Sequence, residues 1–394
     1  MREVLVAGVG MTPFVPPKVS PAYTEMGAAA VREALADAGI GYGEVQQAIA
    51  SYVYGDSASG QRVLYDVGLS GVPIVNVNNN CASGSTALFL ARQIVASGAA
   101  DCVLAVGFEQ MTPGALSENY TDRPQPLGNF VAQSNARWGE TGAPMAVQLF
   151  GGAGRAYQER YGAGQAAFAK IAVKSRRHAE RNDKAIFRNP LTVEEVLASP
   201  AMFDPLTRLM CCPPSCGAAA AVLVSADFAR RHGIGGGAVR IAGQAMTTDG
   251  AETFAGDPME LIGWSMAKAA ADRAYAEAGV GPRDMQVVEL HDCFTANELV
   301  TYESLGLAER GGAERMIEDG DNSYGGRYVV NPSGGLMSKG HPLGATGLAQ
   351  CYELVQQLRG NSGARQVEGA RHALQHNLGL GGACVVTVYE RAAA

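Results

Sequence analysis

The chain has 394 residues, of which 47% are hydrophobic and 18% charged, and it carries a formal net charge of −7 at pH 7. This composition is typical of a folded globular protein and excludes a disordered or fibrous one. The mild acidity argues against nucleic acid or an anionic membrane surface as the main partner. No apolar stretch reaches the ~18 residues of a membrane-spanning helix, so no membrane span is expected.

The first apolar segment, residues 4–9, ends at Gly10 and is too short for the core of a signal peptide. It predicts a buried first strand. The eight cysteines form no regular framework, so we expect reduced thiols in a cytoplasmic protein. Cys211, Cys212 and Cys216 lie close in sequence, but they lack a second ligand pair at a usual spacing. A zinc site in this segment is therefore not expected.

A segment near the N-terminus recurs in the second half of the chain. Residues 28–45 (AAAVREALADAGIGYGEV) are echoed by residues 268–285 (KAAADRAYAEAGVGPRDM), with Gly39 in register with Gly279. Each copy has alanines at helical spacing, ends in Ala-Gly as a helix C-cap does, and precedes a strand-like run. The chain is therefore predicted to contain two similar halves.

A second pair of segments supports this repeat. Residues 81–88 (CASGSTAL) match residues 341–348 (HPLGATGL), and in both a short turn leads into a helix-forming stretch. Strands that alternate with helices at these lengths indicate βαβ units and mainly parallel sheets. The repeat predicts that Cys81 and His341 lie at equivalent helix N-termini and face each other across a pseudo-twofold axis.

A region rich in proline and polar turns separates the two repeats, at about residues 113–200. We interpret it as an insertion that folds over the core and contributes substrate-binding surface. The predicted organisation is an N-terminal half over residues 1–236, which contains the insertion, and a C-terminal half over residues 237–394.

Two residues of the repeat are candidates for a nucleophile and its base. Cys81 follows the strand-like run VPIVNVNNN and precedes a helix that begins near Gly84. The partial positive charge and free N–H groups of a helix N-terminus favour the thiolate, which is the nucleophilic form. A buried structural cysteine is the alternative. His341 alone fits a turn histidine, but as the repeat partner of Cys81 it is the natural base for the thiol.

Two further segments are expected at the same edge of the sheet. His291 and Cys293 follow the run VVEL, and residues two apart on extended backbone point to one face. In isolation this pair would be a buried strand end. Residues 373–391 predict a strand, a glycine-rich turn and a strand, and the turn at Gly379 and Gly381 can present backbone N–H groups to an oxyanion. A phosphate cradle is disfavoured because no helix follows these glycines.

Four segments in this order, NNNCASG, HDCF, NPSGGLMSKGHPLGATG and HNLGLGG, resemble the thiolase superfamily. The likeness is to the thiolase domain of sterol carrier protein X and to bacterial lipid-transfer-protein relatives. It implies an α/β thiolase fold, in which two pseudo-twofold-related βαβ halves form layers and carry an inserted loop domain. It also implies that Cys81 is the nucleophile that becomes acylated and that His341 activates it.

The chain departs from most thiolases at two of these motifs. His291 and Cys293 replace the Asn and the Ala of the usual Asn-Glu-Ala-Phe motif. The acid/base cysteine that most thiolases carry just before the final glycine turn has no counterpart here. The sterol-carrier branch is similar, and there the cysteine of His-Asp-Cys-Phe takes that role. Cys384 follows the turn within an apolar run, so we expect it to pack in a buried strand.

The resemblance implies thiolytic cleavage of a 3-oxoacyl-CoA through an acyl-cysteine, with acetyl-CoA or propionyl-CoA released, in lipid or sterol side-chain degradation. Coenzyme A is the implied co-substrate, no bound metal or redox cofactor is implied, and a homodimer or dimer of dimers is expected. One alternative is a thiolase-fold aldolase of steroid side-chain degradation. The presence of Cys81, Cys293 and His341 argues against it. The other is a non-catalytic acyl-CoA or lipid carrier, which needs no nucleophile–base pair.

Overall fold

The computed structural model describes residues 2–112, 120–235 and 237–392. Its strands in these ranges are β1 (Val4–Met11), β2 (Gln47–Ser51), β3 (Ile74–Val77), β4 (Cys102–Glu109), β5 (Ala201–Phe203), β6 (Leu206–Thr207), β7 (Gly217–Ser225), β8 (Val239–Thr247), β9 (Val287–Glu289), β10 (Val329–Val330), β11 (His372–Gly379) and β12 (Ala383–Arg391).

The α-helices of the same ranges are α1 (Tyr23–Ala38), α2 (Ser59–Tyr65), α3 (Ser83–Ser97), α4 (Gly128–Trp138), α5 (Met145–Tyr161), α6 (Gln165–Ala179), α7 (Val193–Ala198), α8 (Ala226–Arg231), α9 (Pro258–Leu261), α10 (Trp264–Ala278), α11 (Thr295–Ser304), α12 (Ala313–Glu318), α13 (Gly335–Ser338) and α14 (Thr346–Arg359). In the part of the chain that the structure describes, none of these helices has both the length and the apolar character to traverse a bilayer.

Ten strands form one sheet in the order β10-β9-β11-β12-β8-β1-β7-β4-β2-β3. The central pair, β1 and β8, is antiparallel, with Leu5 opposite Arg240 and Val6 opposite Val239. Outward from this pair the two sides repeat one another: β7, β4, β2 and β3 on one side correspond to β12, β11, β9 and β10 on the other. The predicted twofold repeat is thus visible in the strand order.

The prediction of a mainly parallel sheet is wrong. Strand β2 runs parallel to β3 and β4, and β9 runs parallel to β10 and β11. The remaining neighbours, including β11 with β12 and β1 with β7, are antiparallel. The β11–β12 pair is antiparallel because the tight turn predicted between these strands needs no helical crossover. The pairs of β1 with β7 and β8 join strands that lie far apart in the sequence.

Helices α3 and α14 pack against each other at the centre of the molecule, whereas α1 and α10 lie on the outer faces. The two central helices meet at their first turns. A Cβ atom on Gly84 of α3 would lie 2.9 Å from the backbone nitrogen of Gly347 of α14, so a larger side chain does not fit between them. This close approach brings together the loops that precede the two helices.

The predicted helix ends are confirmed at both copies of the repeat. Helix α1 ends at Gly39 with φ +69°, and α10 ends at Gly279 with φ +70°. Both values lie in the left-handed region that a glycine C-cap adopts.

The insertion lies between β4 and β7 and contains α4 to α7 with the small sheet of β5 and β6. Helices α5 and α6 pack on α11, which directly follows the His-Asp-Cys-Phe motif. Residues 113–119, at the start of the predicted insertion, and residue 236, the predicted end of the first half, lie outside the described residues. The division of the chain into domains at residues 236 and 237 stays a prediction.

Candidate active site

A cavity of about 90 Å³ lies where the loops before α3, α11 and α14 meet the turn between β11 and β12. Its walls are largely apolar. The lining residues are Cys81, Met111, Ala146, Phe150, Cys212, Pro213, Pro214, His291, Cys293, Phe294, His341, Leu343, Leu378 and Leu380. The structure thus brings together Cys81, His291, Cys293 and His341, which the sequence singled out from three separate segments.

The glycine turn between β11 and β12 borders the cavity, and the residues next to Gly379 line it. Leu378 and Leu380 line the cavity on either side of Gly379. Gly379 packs so closely on the Cys81 loop that a Cβ atom there would lie 2.2 Å from the carbonyl oxygen of Asn79. Gly381 lies further along the same turn, with φ +90°.

Cys81 lies two residues before the start of α3, at the end of a turn in which Asn80 has φ +51°. The expectation that the helix N-terminus lowers the pKa of this thiol is wrong. Burial of the sulfur and the nearby carboxylate of Glu109 raise the pKa of Cys81 to about 12. Desolvation of the thiolate outweighs the helix terminus, so the resting residue is a neutral thiol that needs a base.

His341 has the hydrogen bonds of a base. Its Nδ1 lies 2.7 Å from Oγ1 of Thr346, and the Thr346 hydroxyl donates to the carbonyl oxygen of Pro342 at 2.9 Å. Because the hydroxyl proton is already used, Nδ1 of His341 donates to Oγ1 and Nε2 keeps its lone pair. That Nε2 is buried and has no hydrogen-bond partner among the described residues. Burial, together with Lys339, lowers the pKa of His341 to about 3 and keeps the ring neutral.

His291 has the opposite arrangement. The side-chain amide of Asn377 donates to its Nδ1 at 3.0 Å, so the ring proton lies on Nε2. The rings of His291 and His341 stand edge to face, with centroids 5.0 Å apart. One ring nitrogen of each and Sγ of Cys81 all lie within 4.8 Å of one another. The cavity thus holds one imidazole that accepts a proton and one that donates a hydrogen bond, both beside the Cys81 thiol.

Cys293 is 4% exposed and lies between β9 and α11. Its carbonyl oxygen accepts the backbone N–H of Cys212 at 2.9 Å. Burial and the nearby thiols of Cys212 and Cys81 raise the pKa of Cys293 well above its ordinary value. Cys293 is therefore a neutral thiol, able to donate a proton.

Two residues near this cavity were not singled out from the sequence. The buried carboxyl of Glu109 ends β4 and accepts backbone N–H groups from Val53, Tyr54 and Gly344 at 3.0–3.1 Å. Burial raises the pKa of Glu109 to about 7. The sequence feature that points to Glu109 is its position as an acidic residue directly after the apolar run CVLAVGF. The second residue is Cys212, whose thiol is the third in the cavity wall and was discussed above only as a zinc ligand.

The remaining cysteines of interest lie elsewhere. Sγ of Cys211 donates to the carbonyl oxygen of Thr207, and Sγ of Cys216 accepts the backbone N–H of Met111. Cys384 lies in β12 opposite Leu378 and is fully buried in the core. Burial raises the pKa of this thiol far above its ordinary value. The expectation that Cys384 packs in a buried strand is confirmed.

Comparisons with known proteins identify the family of the chain. Residues 4–227 match the family described as thiolase, N-terminal domain, and residues 252–391 match the thiolase C-terminal domain-like family. Sterol carrier protein 2 of Gallus gallus is 52% identical over 391 residues, which cover 98% of this chain and 72% of the relative. The chain belongs to the thiolase family.

Two solved structures share the fold. One is described as the Ltp2-ChsH2(DUF35) aldolase, with a TM-score of 0.83, 25% identity and coverage of 99% of this chain and 98% of that one. The other is human mitochondrial 3-ketoacyl-CoA thiolase in complex with CoA, with a TM-score of 0.75, 19% identity and coverage of 100% and 98%. The predicted thiolase fold is confirmed, and the family places the chain among the acyltransferases of the thiolase superfamily.

Proposed function

We propose that the chain cleaves 3-oxoacyl-CoA with coenzyme A, giving a shortened acyl-CoA and acetyl-CoA or propionyl-CoA. The observation that carries the proposal is the cluster of Cys81, His291 and His341. The Cys81 sulfur and one ring nitrogen of each histidine lie within 4.8 Å of one another, and one imidazole has a free lone pair while the other has an N–H. A nucleophile beside its base and an oxyanion donor is the arrangement that acyl transfer requires.

In the first step Nε2 of His341 removes the proton of the Cys81 thiol, and Sγ attacks the 3-oxo carbon of the substrate. The bond between C2 and C3 then breaks, and its electron pair passes to C2 and the thioester oxygen as an enolate. The Cys293 thiol protonates C2, which releases acetyl-CoA or propionyl-CoA and leaves an acyl group on Cys81. Cys293 carries a proton for this step, because burial raises its pKa and keeps the resting thiol neutral.

In the second step the Cys293 thiolate removes the proton of an incoming coenzyme A thiol. The resulting sulfur anion attacks the acyl carbon, and the Cys81 sulfur leaves and recovers its proton from the His341 imidazolium. Both residues return to their starting protonation states. Nε2–H of His291 and the backbone N–H groups at the Gly379–Gly381 turn are the proposed donors to the oxygen atoms that gain charge.

The cavity walls suit the reacting part of such a substrate. Phe150, Phe294 and Leu343 form apolar surface beside Cys81 and exclude water from the acyl-enzyme. Exclusion of water directs the acyl group to coenzyme A and away from hydrolysis. The apolar wall also accounts for the raised pKa of the thiols, since burial disfavours their charged forms.

The likeness to the aldolase complex, at a TM-score of 0.83, favours one second candidate, which is retro-aldol cleavage of a hydroxyacyl-CoA. An aldolase forms no acyl-cysteine and consumes no coenzyme A, whereas the cavity presents an intact thiol and base. A third possibility, carriage of acyl-CoA or lipid without chemistry, uses neither group.

A product assay separates these candidates. The purified chain is incubated with 3-oxoacyl-CoA or 3-hydroxyacyl-CoA, each with and without free coenzyme A, and products are quantified by mass spectrometry. We expect cleavage of the 3-oxo substrate only when coenzyme A is present. Cleavage of the hydroxyacyl substrate without coenzyme A would identify the aldolase, and binding without any product would identify a carrier.

The assembly that we propose is a homodimer. Strand β3 is one of the two edge strands of the ten-stranded sheet, and Val75 on it is 41% exposed. An edge strand has unpaired backbone groups on its outer side, and pairing with a second copy across a twofold axis satisfies them. The strand leads directly to Cys81, so the interface would support the nucleophile loop.

A further inference from the structure

We propose that Cys81, His291 and His341 also form a binding site for Zn²⁺, which competes with substrate and reversibly blocks the nucleophile. The three donor atoms come from three different loops and meet in one cavity. One thiolate and two imidazoles form a donor set typical of zinc. The metal binding itself does not depend on the proposed thiolytic activity; only its inhibitory effect does.

The distances are close to those of a zinc site. Tetrahedral zinc with Zn–S of about 2.3 Å and Zn–N of about 2.0–2.1 Å places neighbouring donor atoms roughly 3.5 Å apart. In the cavity the Cys81 sulfur and one nitrogen of each ring lie within 4.8 Å of one another. Side-chain rotations that move each donor by about 1 Å close the remaining gap.

His341 is already oriented as a metal ligand. Its Nδ1–H donates to Thr346 at 2.7 Å, which fixes the ring and leaves the lone pair of Nε2 free. Metal-binding histidines commonly donate their other ring N–H in this way. The residue is 5% exposed, and Nε2 has no hydrogen-bond partner in the described part of the chain. A buried ring nitrogen without a partner, beside a thiol, is a vacant ligand atom.

Rotation of the Asn377 side-chain amide gives His291 a free Nε2 lone pair as well. As the amide now lies, its nitrogen donates to Nδ1 of His291, while its Oδ1 is buried without a partner among the described residues. Turning the amide by half a turn places Oδ1 against Nδ1, so that Nδ1 carries the ring proton and Nε2 becomes a free ligand atom. This rotation also gives the buried oxygen a hydrogen bond.

The surroundings provide space and charge for the cation. A cavity of about 90 Å³ exceeds the roughly 10–15 Å³ that a cavity needs to hold one water, so it has room for the metal and a water molecule in the fourth position. The Cys81 thiol loses its proton to solvent as the Zn–S bond forms, which leaves one positive charge on the complex. Glu109 lies close enough to influence the Cys81 sulfur, and its ionised form compensates this charge. Three protein ligands and one water match the coordination of zinc sites that keep an open position.

The direct test is a titration of the full, chelator-treated chain with Co²⁺, followed by displacement with Zn²⁺, without any substrate. We expect saturation at one Co²⁺ per chain, with visible bands of tetrahedral cobalt and a thiolate-to-cobalt charge-transfer band. Cys81→Ser should abolish the charge-transfer band, and His341→Ala should weaken binding by about tenfold or more. Cys212→Ser is the matched control, since this thiol lines the same cavity outside the cluster, and it should bind as the parent does.

A second readout works with the unaltered chain and does not depend on any variant folding. One equivalent of Zn²⁺ should slow alkylation of Cys81 by iodoacetamide, as mapped by peptide mass, and a chelator should restore the rate. The proposal is overturned if no charge-transfer band forms, if the band is lost in Cys212→Ser and kept in Cys81→Ser, or if Zn²⁺ leaves alkylation of Cys81 unchanged. Failure of the thiolytic assay alone leaves this result standing, because neither measurement uses substrate.

Discussion

Nδ1 of His341 lies 2.7 Å from Oγ1 of Thr346, within the same turn that leads into α14. The Thr346 hydroxyl donates its own proton to Pro342, so the contact fixes the tautomer of the histidine as well as its orientation. Nε2 is left with a free lone pair, and a ring nitrogen of His341 lies within 4.8 Å of the Cys81 sulfur. The basicity of the site thus depends on a threonine that is not among the residues lining the cavity.

Thr346→Val tests this relationship. Valine keeps the shape of threonine but removes the hydroxyl, so the ring is released and a buried N–H loses its partner. We expect turnover to fall by about tenfold to hundredfold, which is less than loss of the whole base would cost because the imidazole remains, and the free energy of unfolding to fall by about 1–3 kcal/mol. Thr346→Ser restores the oxygen and should recover both values. Equal turnover in the valine and serine variants would show that the hydroxyl does not position His341.

Cys293→Ala and Cys384→Ala separate the two candidate acid/base thiols. We expect Cys293→Ala to lose about 10²- to 10⁴-fold in turnover, because no other thiol of the proposed mechanism protonates the enolate. Cys81 should remain open to alkylation by iodoacetamide in this variant. Cys384→Ala, which truncates a fully buried thiol outside the cavity, should keep turnover within a few-fold of the parent. The reverse pattern would contradict the assignment to the sterol-carrier branch.

Glu109→Gln tests the electrostatic effect on Cys81. The carboxylate raises the pKa of the Cys81 thiol, so its removal should lower that pKa and speed alkylation of Cys81 at fixed pH. Asp292→Asn is the matched control. Asp292 is also a buried carboxyl whose pKa is raised, but it is not among the causes of the Cys81 shift. An unchanged or slower alkylation rate in Glu109→Gln would remove the electrostatic explanation.

Glu109→Gln should also change how the free energy of unfolding depends on pH. Burial raises the pKa of Glu109 from 4.5 to about 7, so the folded state binds this proton more tightly than the unfolded state. Its contribution to stability is therefore present below about pH 4.5 and is lost as the pH rises through about 7. Between pH 5 and pH 8 the parent should lose more unfolding free energy, measured in urea, than Glu109→Gln does. A parent and variant with the same pH dependence would contradict the raised pKa.

The proposed dimer depends on the outer edge of β3. Val75→Asp places like charges near each other across the twofold axis and should shift the chain to monomers in sedimentation velocity at micromolar concentration. Val19→Asp is the control, because Val19 is another exposed valine, at 67% exposure, and lies outside the sheet. A parent chain that sediments as a fully active monomer would contradict the dimer.

The repeat was the most informative feature of the sequence. The Ala-Gly signals at Gly39 and Gly279 are local, because a glycine C-cap is set by its own backbone, and the structure has both. The register of Cys81 with His341 also anticipated that their loops meet, since two similar halves place equivalent loops side by side. Both inferences used patterns that are visible in the order of residues along the chain.

The missed features depend on tertiary structure. The pKa of Cys81 was given the wrong direction because the helix N-terminus is visible in the sequence, whereas the burial of the sulfur and the approach of Glu109 are not. Cys212 enters the cavity only because its segment pairs with the strand end at Cys293. The antiparallel pairing of β1 with β7 and β8 was missed because both partners lie far from β1 in the sequence.

The most direct measurement of the central claim is the intact mass of the chain after mixing with 3-oxoacyl-CoA and no free coenzyme A. The account predicts a mass increase equal to the shortened acyl group, which maps by peptide digestion to Cys81, is absent in Cys81→Ala, and disappears when coenzyme A is added. A chain that consumes the substrate without ever carrying an acyl group, or that carries it on another residue, would contradict the account.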